Sequence, residues 1–193
     1  RTLAPTVAAM IAMGVGNAPL RADVIELRGS APSIDGDIVS VGPAGIEVRT
    51  RRGGLEQQQS VAWSDVRDVR GANVPKEAAK WLAAGDALWR GRMRVARGDW
   101  IFALDPMQRA FRAWDGAAPS ADGLTASAVC AEALRRSGRA EESLRASFEA
   151  IRIARAGIAP RESMDARIQD AESRAVDARM PVPPALAPGA FDA

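Results

Sequence analysis

The feature that most constrains this chain is a pattern of small residues that returns at a fixed spacing. Within residues 87–114, ALWRGRMRVARGDWIFALDPMQRAFRAW, the positions Gly91, Gly98, Ala103 and Ala110 are echoed by Ala131, Gly138, Ser143 and Ala150, each 40 positions further on (131 − 91 for the first pair). Self-similarity of this kind reads as a helix-turn-helix unit used twice. Helices in a hairpin approach closely where a side chain is small, so Gly91 with Ala103, and Ala131 with Ser143, mark the expected contact lines. Gly98 and Gly138 then fall in turns, where positive φ carries no steric cost. Trp100, Ala103, Leu104, Met107, Ala110, Phe111 and Trp114 recur at helical spacing and predict one buried face. Trp89 is expected in the same core.

Over residues 87–155 this arrangement resembles the tetratricopeptide repeat family, whose units carry small residues in both helices and a glycine between them. The resemblance implies an array of helical hairpins that offers a concave surface to a protein or peptide. Several positions depart from the family pattern: Arg90 and Arg94 replace large apolar residues, Met107 and Ser147 replace an aromatic, and the closing proline is absent after both copies. The offset also exceeds the ~34 residues of the family's repeat, which assigns about six extra residues to the loop 115–124, DGAAPSADGL. Pro106 removes a helix hydrogen bond and predicts either a kink or a helix restarting with Asp105 as its cap.

Upstream, the period changes from helical to two. Val24 to Leu27, Ile38 to Val41, Ile46 to Val48 and Val61 to Trp63 are short runs rich in β-branched residues, separated by glycine-containing turns. Four or five strands over residues 23–70 predict a small barrel or curled sheet, with Ile46 and Val48 inward and Glu47 and Arg49 in water. The order of apolar strand, glycine turn, Ile34-Asp35-Gly36-Asp37-Ile38, a further glycine turn and Val61-Ala62-Trp63-Ser64-Asp65-Val66 resembles small Sm-like or Src-homology-type barrels. Such barrels often bind nucleic acid or peptides, and Arg49, Arg51 and Arg52 form a basic hairpin able to grip phosphates. Trp63 is the sheet's single aromatic, however, and offers no stacking platform, so these arginines read as a solvated loop.

The fold class that follows is multidomain: a small all-β barrel or curled sheet, then an all-α array of helical hairpins. Residues 1–22 have a basic start, an apolar run from Leu3 to Val15 and a small residue before a polar one, the layout of a secretory signal peptide, with an uncleaved anchor as the alternative. Residues 23–73 form the β domain. The helical domain is 74–180, with Asn73 as a helix cap, Pro75 in a first turn, and a helix that is either long or broken at Gly85-Asp86. A last helix is expected from Pro160 to about Met180, with Met164, Ile168, Ala171 and Ala175 on its apolar stripe. Residues 181–193, PVPPALAPGAFDA, are too proline-rich for helix and read as an extended tail.

The chemistry the chain lacks narrows its function. With no histidine among 193 residues, the commonest general base, His-activated nucleophiles and histidine metal ligation are all absent. One cysteine, Cys130, forms neither an internal disulfide nor a thiolate cluster and reads as a packed structural thiol. Gly14-Val15-Gly16 lacks the third glycine of a dinucleotide loop. The close pairs Asp35 with Asp37, Asp65 with Asp68, and Glu141 with Glu142 are explained by turns and helix N-terminal charge. A net charge of +2, from 26 basic and 24 acidic residues, is too small for a generic polyanion binder. The sequence therefore assigns no catalytic, cofactor-binding or metal-ligating residue. The reading is an exported, non-catalytic scaffold or adaptor that presents a helical-repeat surface to a protein or peptide partner. The alternative is a binding module acting through the β domain with the helices as spacer, and a carboxylate-based enzyme ranks third.

Overall fold

The computed structural model describes residues 22–159 and 165–177. The expected leader at 1–22 lies almost wholly outside these residues, as do Pro160, Met164 and the tail 181–193. Five strands come first: β1 (Asp23–Leu27), β2 (Ile34–Gly42), β3 (Gly45–Arg52), β4 (Leu55–Val61) and β5 (Val66–Arg70), with a 3-10 turn at Trp63–Asp65 between the last two. Helices α1 (Ala78–Ala96), α2 (Trp100–Trp114), α3 (Ala121–Arg136), α4 (Ala140–Arg155) and α5 (Ala166–Asp177) follow.

The strands make one antiparallel sheet in the order β4-β3-β2-β1-β5. Of the two forms expected, a closed barrel is not formed, because β4 and β5 are the two edges and do not pair with each other. β2 pairs with β1 through Ile34, Asp35 and Gly36 and with β3 from Asp37 onward, and a register shift between Ile38 and Ser40 interrupts the ladder. The side-chain alternation is as expected: Ile46 and Val48 are fully buried, Glu47 is half-buried and Arg49 exposed. The strand expected to run through Trp63 instead stops at Val61, and Trp63 turns inward as the first residue of the 3-10 turn.

That inward turn joins sheet to helices. Trp63 is fully buried, and its indole N–H donates to the Gly42 carbonyl at 2.7 Å. Trp114 of α2 donates in the same way to the next carbonyl, Pro43, at 2.9 Å. The β2–β3 turn thus satisfies two buried indoles, whose apolar bodies fill the core while their N–H groups need partners. Trp81 packs on Trp114 with ring centroids 5.6 Å apart. One continuous cluster of buried residues runs from Ile25, Ile46 and Val66 in the sheet through Trp81, Leu88, Met107 and Phe111 to Val129, Leu134 and Ile168.

The helices differ from expectation in detail. α1 begins at Ala78, so Asn73 is not its cap; the Asn73 N–H donates instead to the Asp23 carboxylate at 3.2 Å. α1 is unbroken through Gly85-Asp86. α2 is continuous through Pro106, without a restart at Asp105. The carbonyl that proline leaves unpaired belongs to Phe102, which is 69% exposed, so water can take up the bond. Gly98 and Gly138 close their turns at φ +81° and +76°. The side chain packed against Gly91 is Met107, not Ala103. Part of the expected long loop is helical, since Ser120 caps α3 by accepting from the Gly123 N–H at 3.1 Å.

Gly85 is the tightest point. A Cβ there would lie 2.3 Å from the Trp63 carbonyl oxygen, inside any permissible contact with backbone. Gly→Ala within a helix ordinarily gains about 1 kcal/mol, but forcing the 3-10 turn off α1 costs about 1–3 kcal/mol as overpacking. Gly85→Ala is therefore expected to lower the denaturant midpoint, and a raised midpoint would contradict this packing.

Candidate functional site

The helix period decides which side chains reach the surface. On α1, Trp81, Ala84, Gly85, Leu88, Gly91 and Val95 face the core, which leaves Trp89 and Met93, one turn apart, at the margin of that stripe. Trp89 is 37% exposed and is not the core residue expected. Arg28, at the end of β1, lies over its ring at 4.7 Å from the centroid and donates to Asp86 at 3.0 Å. The ring is therefore held in place by a cation on one face while part of it remains in water. Phe102 of α2 stands beside it with Arg94 over its ring at 5.9 Å.

Two open clefts flank this Trp89-Met93 ridge. One, of about 390 Å³, runs between α1 and α2 and is lined by Arg90, Arg94, Arg97, Phe102, Asp105 and Arg109 together with the ridge. The other, of about 480 Å³, lies where the end of β1 and α5 meet α1, with Leu27, Arg92, Ala96 and Ile168 among its lining. Arg90 is paired with Asp86 at 2.8 Å, Arg109 with Asp105 at 2.6 Å and Arg94 loosely with Asp99 at 3.9 Å. Arg92 and Arg97 have no ion-pair partner among the described residues. The result is an apolar ridge with unneutralised guanidinium groups beside it, able to hold an apolar side chain and an adjacent carboxylate together.

The titratable residues singled out in the sequence do not converge. Asp35 and Asp37 are exposed on β2. Asp68 accepts from Arg70 and Glu142 from Arg139. Asp65 does line the larger cleft, where Asp165 also stands, but Asp165 is engaged in capping α5 by accepting from the Arg167 N–H at 2.9 Å. Arg51 is bonded to Glu56 at 2.7 Å across the β3–β4 hairpin, and Arg49 is exposed. Cys130 is buried, and that burial pushes its thiol up to about 12, so it stays protonated and inert. Among the described residues no group of His, Cys, Asp or Glu is arranged to hold a metal ion.

Sequence reasoning missed the buried acids. Asp122 is almost fully buried and accepts from the Ser64 N–H at 3.0 Å and the Ser64 hydroxyl at 2.8 Å, tying α3 to the 3-10 turn. Glu132 takes up Arg135, Arg136 and Arg174, which fastens α5 to α3. Glu172 of α5 accepts from the Thr125 hydroxyl. Glu149 accepts from Arg152 at 2.6 Å and from the Gly116 N–H at 3.1 Å. The pairs Glu132 with Arg136 and Glu149 with Arg152 are visible at helical spacing; the long-range partners of Asp122 are not. As a consequence α3 is enclosed, with every residue from Asp122 to Leu134 buried. No protein-family model, curated protein or solved structure matches the chain.

The Arg152 guanidinium, helped by the Gly116 N–H, holds the Glu149 carboxyl below its ordinary value of 4.5. A carboxylate held down in the folded state stabilises at and above its ordinary range, and that contribution disappears as pH falls through the lowered value. Glu149→Gln is therefore expected to be less stable than the parent at neutral pH, with the gap closing once both are measured below the carboxylate range. A gap independent of pH would contradict the assignment.

Proposed function

We propose that the chain is a non-catalytic adaptor of the exported class whose helical surface, at the Trp89-Met93 ridge, receives a protein or peptide carrying an apolar side chain next to acidic ones. The observation that carries this reading is the exposure of Trp89, Met93 and Phe102 together, flanked by Arg92 and Arg97, which have no ion-pair partner among the described residues. Apolar groups that size normally go inside, and a cluster of them rimmed by charge is the usual mark of an interaction surface. The concave face implied by the tetratricopeptide resemblance would be built in part on α3, whose enclosure by its neighbours leaves the exposed large apolar side chains on α1, α2 and α4. Export rests on the layout of residues 1–22 alone. A second reading, binding through the β domain, is favoured by the exposure of the β3–β4 hairpin.

The reading is tested with a fluorescent peptide containing leucine or tryptophan between aspartates, titrated into the full chain. Trp89→Ala is expected to weaken binding by about 2 kcal/mol, roughly thirtyfold in Kd, as for a buried aromatic anchor. Arg97→Glu is expected to weaken it further at low salt than at high salt. Equal binding by parent and both variants would remove the helical surface from consideration.

A further inference from the structure

The β4 edge of the sheet points to a second copy of this chain. Among the described residues β4 pairs only with β3, and their register runs without a shift from Ile46↔Val61 to Arg52↔Leu55. Gly53 and Gly54 join them with φ +60° and +83°, the two positive values of a type I′ hairpin turn. In that turn the flanking residues, Arg52 and Leu55, form a hydrogen-bonded pair. Alternation along an antiparallel ladder then fixes the rest: Gln57, Gln59 and Val61 also direct their N–H and C=O groups toward β3, while those of Glu56, Gln58 and Ser60 point away from the sheet. The exposed strand therefore offers a short row of outward donors and acceptors.

Natural edges are blunted by proline, lysine, a bulge or a covering element. β4, LEQQQSV, has no proline and no lysine, and its ladder has no bulge. Its one charged residue, Glu56, is already neutralised by Arg51. The opposite edge is different: β5 reads VRDVR, is joined to β1 through a register shift at Glu26/Leu27, and packs against α1.

We propose that two copies of the chain join by antiparallel pairing of their β4 strands about a two-fold axis at Gln58. Among antiparallel registers, this one engages all the outward groups, matching Glu56 with Ser60 of the second copy and Gln58 with its own equivalent. It sets no like charges opposite one another, since Glu56 faces a serine. It also accounts for Leu55, the most exposed large apolar residue described at 76%. In this register Leu55 lies directly across from Val61 of the second copy, on the face of the sheet that carries Ile46 and Val48, and so extends each core across the joint. The outer end of the β3–β4 hairpin, residues 50–57, lies past the last pairing of β3 with β2 at Arg49 and is two-stranded there, so a second hairpin beside it adds the strands such a ribbon needs for stability.

Sedimentation of the full chain across a concentration series tests the pairing. The expected result is a reversible doubling of mass. Gln58→Pro removes an outward N–H without touching the ladder to β3, and is expected to sediment as a monomer with an unchanged circular dichroism spectrum. Gln58→Cys is expected to cross-link to its equivalent on oxidation, because hydrogen-bonded antiparallel partners stand about 5.5 Å apart at Cα, within disulfide reach. Glu56→Cys, facing Ser60 of the second copy, is expected to cross-link far more slowly; the buried Cys130 takes no part. A parent chain that stays monomeric at its highest attainable concentration overturns the proposal, even if it captures a foreign strand. A dimer that survives Gln58→Pro, or cross-linking that is equal at the two cysteines, overturns it as well.

Discussion

Trp63 and Gly85 meet where the sheet is pressed onto the first helix, and the rest of the structure depends on that contact. The Trp63 carbonyl approaches α1 so closely that only a glycine fits. Having left the strand at Val61, the chain drops its indole into the core, and the adjacent Ser64 is clamped by Asp122 of α3. A buried carboxylate that accepts from both a backbone amide and a hydroxyl is satisfied where an unpartnered one would cost several kcal/mol. The same turn that seats the sheet therefore fixes the position of α3, and through Thr125, Glu132 and Glu172 that of α5.

This architecture explains why the exposed surface lies where it does. Because α2, α4 and α5 pack around α3, the helical array cannot use its central helix for recognition, and the exposed large apolar side chains of the helices are on α1, α2 and α4. Arg28 comes from the sheet yet lies over the Trp89 ring and bonds Asp86 on α1, so docking of the sheet orients the ridge. The β3–β4 hairpin extends past Val48, the last buried residue of β3, and β4 pairs with no second strand among the described residues.

Residues whose environment is set locally were legible in the sequence. Ile46 and Val48 alternate with polar neighbours and are buried as read; Trp100, Phe111 and Trp114 recur at helical spacing and are buried too. Gly98 and Gly138 were readable as turns because positive φ is a property of the residue itself. β4 was missed since Leu55 to Ser60 carry no alternation, and their strand geometry comes from pairing with β3 around Gly53-Gly54. In the sequence Trp63 reads as a strand residue, because β-propensity does not register a turn imposed by a distant glycine. Trp89 matched the apolar stripe but sits at its margin, where a single residue's angle on the helix decides between core and surface. Asp122 gave no sign of burial, because what makes burial tolerable is Ser64, 58 positions away.

The central claim is that sheet and helices share one core through the Trp63, Gly85 and Asp122 junction. Native-state hydrogen exchange resolved by residue tests it most directly, since amides exposed only by global unfolding report the same opening free energy. The amides of β1 and β3 that face neighbouring strands are expected to exchange with the same free energy and denaturant dependence as those of α1 and α3. A sheet that exchanges through a separate, lower-energy opening while α1 and α3 remain protected would contradict the account.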